Sequence, residues 1–210
     1  MNALGTPSDE PVATLAGASL YQHDHVCVFY HGSAQRDTVL IPFLREGIAA
    51  GNRCRSISFR DDEQHLRNQL RDITGAALDL LEFARSIARH QLNGRFHPDW
   101  VLESMGTWAA PRVALKGVMQ IPIIGDGGNA GPDLEGLVAE LIAFEDRVTE
   151  FVRGGPCVGV CFFDLDNIGA DVAMPAIKSH PKMWLDGAIL DNPYLAGGTI
   201  DNEMPDDNQR

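Results

Sequence analysis

The sequence predicts an α/β protein with a mostly parallel central sheet and helices on both faces. Three observations carry this expectation. Short β-branched and aromatic runs alternate with stretches of helical period along most of the 210 residues. The runs His25 to Tyr30 and Cys157 to Phe163 are almost unbroken by charge, as strands covered on both faces are. The composition, 44% hydrophobic and 22% charged, suits one large core.

Residues 1–20 mix Pro7, Pro11, Ser8, Gly5 and Gly17 without a sustained period and read as a flexible arm. A single domain is expected over 21–196, and the acidic, Gly- and Asn-rich residues 197–210 read as a disordered tail. The first strand is placed at His23 to His31. Alternation there puts His23, His25, Cys27, Phe29 and His31 on one face, with Val26, Val28 and Tyr30 on the other. The reactive face has three readings: a buried strand with packed Cys and hydrogen-bonded His, a metal or ligand site, or a reactive thiol.

A turn at Gly32-Ser33 leads to a helix carrying Leu40, Phe43, Leu44 and Ile48, capped by Ser33 or Asp37 and stopped at Gly51. Pro42 must lie near its first turn or kink it. Arg53 to Phe59 is the second strand. Either Asp61 or Asp62 caps the next helix, and a third strand spans Leu78 to Phe83. Residues 84–98 read as an irregular excursion, and a helix follows from Pro98 to about Ala109.

Val118 to Ile124 is the fourth strand, ending in the side-chain-poor loop Gly125-Asp126-Gly127-Gly128. The helix Leu134 to Val152 has the most regular stripe: Leu134, Leu137, Val138, Leu141, Glu145, Val148 and Val152. Glu145 is its one acid. Such a carboxyl is expected to pair with an Arg, to face a ligand, or to lie exposed. Cys157 to Phe163 is a central strand ending in Asp164-Leu165-Asp166. A helix near Asp171 to Lys178 follows, and Met183 to Leu190 with Asn192-Pro193-Tyr194 forms a hairpin-like pair or an edge strand.

A net charge of −12 and a pI near 4.9 disfavour direct nucleic-acid binding. The four cysteines lie in apolar or strand-like runs, as reduced cytoplasmic thiols do. No run is long and apolar enough to span a bilayer, and residues 1–21 lack a signal-peptide pattern, so the expectation is a cytoplasmic protein without membrane contact. Parallel sheets bind ligands outside the carboxyl ends of their strands, an edge that gathers Tyr30, His31, Arg60, Asp126, Asp164 and Asp166. His31-Gly32-Ser33-Ala34-Gln35-Arg36 lacks the second glycine and the Lys-Ser/Thr pair of a P-loop, so no ATP is expected. No GxSxG elbow and no dinucleotide fingerprint are present, and the expectation is a binding or signalling protein rather than an enzyme.

His25-Val26-Cys27-Val28-Phe29-Tyr30, followed by Val39 to Gly47, resembles the opening of the MEDS domain, a sensory domain of methanogens and methylotrophs typified by a dichloromethane-responsive repressor. Leu92-Asn93-Gly94-Arg95-Phe96, Phe144-Glu145, Cys161-Phe162-Phe163-Asp164, His180-Pro181 and Asn192-Pro193-Tyr194 agree in order. Where that family carries a Gly-Asp-Met-x-Trp segment, this chain keeps Asp126 and lacks the aromatic. The resemblance implies a RecA/KaiC-like sheet without its ATP site, sensing a small, largely apolar hydrocarbon derivative. It carries over His25, Cys27, Tyr30, Glu145, Asp164, His180 and Tyr194, with Asp126, as ligand-binding positions. Output would then pass through a partner protein such as a kinase or anti-sigma factor, or through a second protomer of a homodimer.

Two alternatives stand beside a ligand sensor. One is a regulatory protein holding zinc or another transition metal through His25, Cys27 and one of His23, His31, Cys161 or His180. The other is a pure protein-interaction module.

Overall fold

The computed structural model describes residues 10–58, 63–83, 98–109, 119–125 and 134–195. Residues 1–9 of the arm, the 84–97 excursion, Arg60, Asp126 and its loop, and the 197–210 tail lie outside the described residues.

Residues 13–20, expected within a flexible arm, instead form a small hairpin of strands β1 (Ala13–Leu15) and β2 (Ala18–Leu20). Ala16 and Gly17 turn it with φ of 48° and 86°, the two positive values of a type I′ turn. Leu15 and Leu20 are fully buried against the helix that follows the first sheet strand. Asn52 Nδ2 donates to the Val12 carbonyl, and Thr14 bonds the Glu46 carboxylate. Strands this short have no readable period, so only the Ala-Gly turn marks the hairpin in sequence.

The main sheet begins with β3 (His25–Tyr30), shorter than expected at both ends. His23 has a φ of 75°, and His31 lies one residue ahead of α1 (Gly32–Ala49). Helix α1 starts earlier than Ser33 or Asp37 would dictate, and no side chain caps it at His31. Pro42 lies in its interior rather than its first turn. It ends in a Schellman pattern: Gly51, at φ 78°, donates to the Ile48 carbonyl and Asn52 donates to that of Gly47.

Then come β4 (Arg53–Ser58), α2 (Glu63–Gln69), a 3-10 helix (Gly75–Leu80) and β5 (Leu81–Phe83). The 3-10 turn occupies the first half of what the sequence suggests as a longer strand. Next are α3 (Pro98–Ala109), β6 (Met119–Gly125), α4 (Leu134–Gly154) and β7 (Cys157–Asp164). The described chain closes with α5 (Ala170–Ser179), β8 (Lys182–Leu185) and β9 (Ala188–Asp191). Asp186 and Gly187, at φ 48° and 87°, make the type I′ turn between the last two strands.

The seven-stranded sheet runs β5-β4-β6-β7-β3-β8-β9, parallel throughout except for the antiparallel edge strand β9. Every residue of β7 is buried, as the apolar run predicts for a strand covered on both sides. Alternation along β3 and β7 feeds two separate cores. Val26, Val28, Tyr30, Val158, Val160 and Phe162 pack toward α1 and the N-terminal hairpin. On the opposite face Cys27, Cys157, Cys161 and Phe163 meet α3, α4 and α5 through Val101, Met105, Phe144, Val148, Val172 and Ala176.

The docked hairpin is open to a direct check by urea denaturation. Leu15→Ala should lower folding stability by about 2–5 kcal/mol, as for other fully buried leucines. A loose arm would leave the midpoint unchanged.

Candidate functional site

On the α4/α5 side of the sheet four side chains with ligand-type atoms converge within a largely apolar core. His25 opens β3, Cys161 is central in β7, Glu145 comes from α4 and His180 ends α5. All four are buried. The parallel register sets His25 beside Gly159, two residues from Cys161 on the same face. A methyl group at Gly159 would lie 2.9 Å from both the His25 ring and Val152, so glycine leaves room for the imidazole.

Two contacts fix the His25 ring. Nδ1 lies 2.7 Å from Thr149 Oγ1, and that hydroxyl has two carbonyls to donate to, Glu145 one turn earlier at 3.1 Å and Ser179 at 3.3 Å. We assign its only hydrogen to these carbonyls, so that Thr149 accepts from His25 Nδ1–H and the lone pair of Nε2 faces the cluster. His180 follows the same logic more strictly. Its Nδ1 is 2.7 Å from the Ala176 carbonyl, which can only accept, so Nδ1 carries the proton and Nε2 is a bare acceptor.

The two Nε2 atoms converge on Cys161 and Glu145. His25 Nε2 is 3.2 Å from Cys161 Sγ, and Cys161 Sγ is 3.2 Å from Glu145 Oε2. Glu145 Oε2 stands 3.7 Å from His25 Nε2 and 3.5 Å from His180 Nε2, both too long for a hydrogen bond. His180 Nε2, wholly buried, has no hydrogen-bond partner among the described residues. The imidazole centroids lie 4.2 Å apart with the rings tilted by 39°, and Phe163 meets the His180 ring edge-on.

Burial sets the protonation states. It pushes the Glu145 carboxyl up to about 8, against a partial offset from the Cys161 hydrogen bond. It holds His180 down at about 4 and His25 well below its ordinary value, helped there by His180 and Arg153. The Cys161 thiol is raised by burial and then by Glu145, and Cys27 is pushed to about 12 for the same two reasons. At neutral pH the cluster therefore holds two neutral imidazoles, a thiol and a carboxylic acid.

Of the positions singled out in sequence, His25, Glu145 and His180 come together, with Cys161 from the alternative metal set. Cys27 shares their core, one register step from His25, but is not among the four converging donors. Tyr30 points into the opposite core, because alternation places it there. Asp164 sits at the carboxyl edge with its oxygens already used: Oδ1 accepts from the Gly32 and Asp166 amides and Oδ2 from Asn167. Tyr194, 65% exposed, lies beyond β9, and Asp126 is outside the described residues. His23 bonds the Val152 carbonyl, and exposed His31 pairs with Asp166 at 2.8 Å, so neither reaches the cluster.

Glu145 has no Arg partner among its described contacts. Sequence reading missed the supports Thr149 and Ser179. Thr149 follows Glu145 by one helical turn, and that spacing is the signal that could have found it.

A family model described as "MEDS: MEthanogen/methylotroph, DcmR Sensory domain" matches residues 24–181. The chain is 34% identical over 59 residues to the transcriptional repressor DcmR of Methylorubrum extorquens (strain DSM 6343 / CIP 106787 / DM4), a stretch covering 28% of this chain and 22% of that repressor. Among solved structures, an ATPase domain superimposes with a TM-score of 0.52 at 6% identity, covering 77% of this chain and 68% of that one. At that identity the likeness concerns the fold alone.

The electrostatics predict a pH signature for chelator-treated protein. Glu145 holds its proton more tightly folded than unfolded, so its contribution to stability falls as pH rises from 4.5 through 8. The histidines do the reverse, and the gain from His180 is complete above 6.5. The groups around Glu145, namely His25, His180, Cys161, Cys27 and Asp146, leave it as the main titrating member between 6.5 and 8. Urea midpoints should decline across that interval, and Glu145→Gln should flatten the decline. An equal decline in the variant would contradict these protonation states.

Proposed function

From the premise that this chain belongs to the MEDS family, we propose that it is a cytoplasmic sensory domain that binds a small, largely apolar hydrocarbon derivative and signals through a partner protein. The observation that carries the reading is the convergence of His25, Glu145, Cys161 and His180 within a largely apolar core. Buried polar groups with incomplete hydrogen bonding cost stability, and sites of function are where such costs are retained.

The nucleotide-handling ancestry suggested by the fold likeness does not extend to the phosphate site. In this reading the sheet is RecA/KaiC-like, and the turn from β3 into α1 has exchanged phosphate for protein groups. Gly32 donates to the Asp164 carboxylate, and Asp166 faces His31. Two carboxylates at a helix start that carries no lysine in residues 31–36 oppose an incoming triphosphate. We therefore assign the domain a binding role that does not use a nucleoside triphosphate at this turn.

The route outward runs through His180. It ends α5 and lies two residues before β8, and Asn192 Nδ2 donates to its carbonyl at 2.7 Å. A ligand that shifts His180 would move the β8–β9 edge of the sheet. Leu185, Leu190 and Tyr194 are exposed there, a surface suited to a kinase, an anti-sigma factor or a second protomer. Among the described residues no helix is long and apolar enough to cross a membrane.

Thermal unfolding in the presence of halocarbons and methylated amines tests the sensing role. A cognate compound at one hundred times its Kd should add about 2.7 kcal/mol, or about 5–10 °C in Tm for a chain of this size. No rise with any compound of either class would overturn the reading.

A further inference from the structure

We propose that His25 Nε2, His180 Nε2, Cys161 Sγ and Glu145 Oε2 form a four-coordinate site for a divalent transition ion of the zinc class. One ligand atom from each residue lies within 4.8 Å of the others. The distances are more telling than the clustering. Bonds of about 2.0–2.3 Å arranged tetrahedrally place neighbouring ligands about 3.3–3.8 Å apart. Four of the six donor–donor separations, 3.2, 3.2, 3.5 and 3.7 Å, lie at or just under those edges, and the other two are bounded by 4.8 Å.

The protein has also oriented the donors as metal sites require. Each imidazole gives its Nδ1–H to a fixed acceptor, Thr149 Oγ1 or the Ala176 carbonyl, which turns the Nε2 lone pair inward. The buried His180 Nε2, without a hydrogen-bond partner among the described residues, is the second, independent sign, because a cation at the centre would satisfy it together with the other three. Two nitrogens, a thiolate and a carboxylate suit zinc's borderline character better than that of magnesium or calcium, which take oxygen ligands. Four buried protein donors describe a closed site of the structural kind. Binding would expel the thiol and carboxyl protons and tie β3, β7, α4 and the α5–β8 junction to one point.

The inference stands on this geometry and not on ligand sensing, so a protein that ignores every hydrocarbon derivative could still satisfy it. The test titrates the full chain, stripped with chelator, with Zn2+ and then Co2+. One ion per chain is expected, with the intense visible bands of tetrahedral cobalt and a thiolate-to-cobalt charge-transfer band in the near ultraviolet. Cys161→Ser should abolish the charge transfer, and Thr149→Val should weaken zinc binding about 10–100-fold by freeing His25. Cys157→Ser, outside the cluster, should leave both intact. Wild-type protein that takes up no stoichiometric ion overturns the proposal, as does a cobalt form without thiolate charge transfer. Undiminished binding in both Cys161→Ser and His180→Ala would place the ion elsewhere and likewise overturn it. Should the variants fail to fold, the wild-type spectrum decides.

Discussion

The constraint on which this molecule turns is the orientation of two imidazoles by their Nδ1 protons. Thr149 Oγ1 and the Ala176 carbonyl each take one, so both Nε2 lone pairs point into a space bounded by Cys161 and Glu145. Without those two hydrogen bonds the rings could rotate and share their remaining protons with the acid. With them, four buried polar atoms face one another, and burial drives every member toward its neutral form.

The sheet supplies the geometry. Parallel pairing of β3 with β7 brings His25 next to Gly159 and Cys27 next to Cys161, and alternation turns these residues to the α4/α5 side while the intervening valines build the other core. Helix α4 contributes Glu145 and, one turn on, Thr149. Helix α5 ends at the residue that supplies the second imidazole. A small change in this arrangement reaches three layers: the sheet, the helices above it, and the β8–β9 edge.

Much of this was legible in sequence. The order of most strands and helices, the two-sided burial of β7, the shared face of His25 and Cys27 in β3 and the acid interrupting the α4 stripe follow from periods of two and of 3.6. Membership in the MEDS family, suggested by dispersed motifs from His25 to Tyr194, agrees with the family match over residues 24–181. Other features could not be read. Strand order decides that β7 lies beside β3, and nothing local to either strand specifies it. Cys161 therefore could be placed on a face, through the alternation Cys157, Gly159, Cys161, Phe163, but not beside His25. Tyr30 and Asp164 do lie toward the carboxyl ends of their strands. Tyr30 turns to the opposite core, and the Asp164 carboxyl is bound by its own turn. The N-terminal hairpin escaped notice because three-residue strands have no period.

The most direct measurement is the 15N chemical shifts of the His25 and His180 side chains in metal-free protein at neutral pH. The account predicts two neutral rings, each protonated at Nδ1, and for His180 no titration until the pH approaches 4. Rings protonated at Nε2, or imidazolium forms appearing near 6.5, would contradict it.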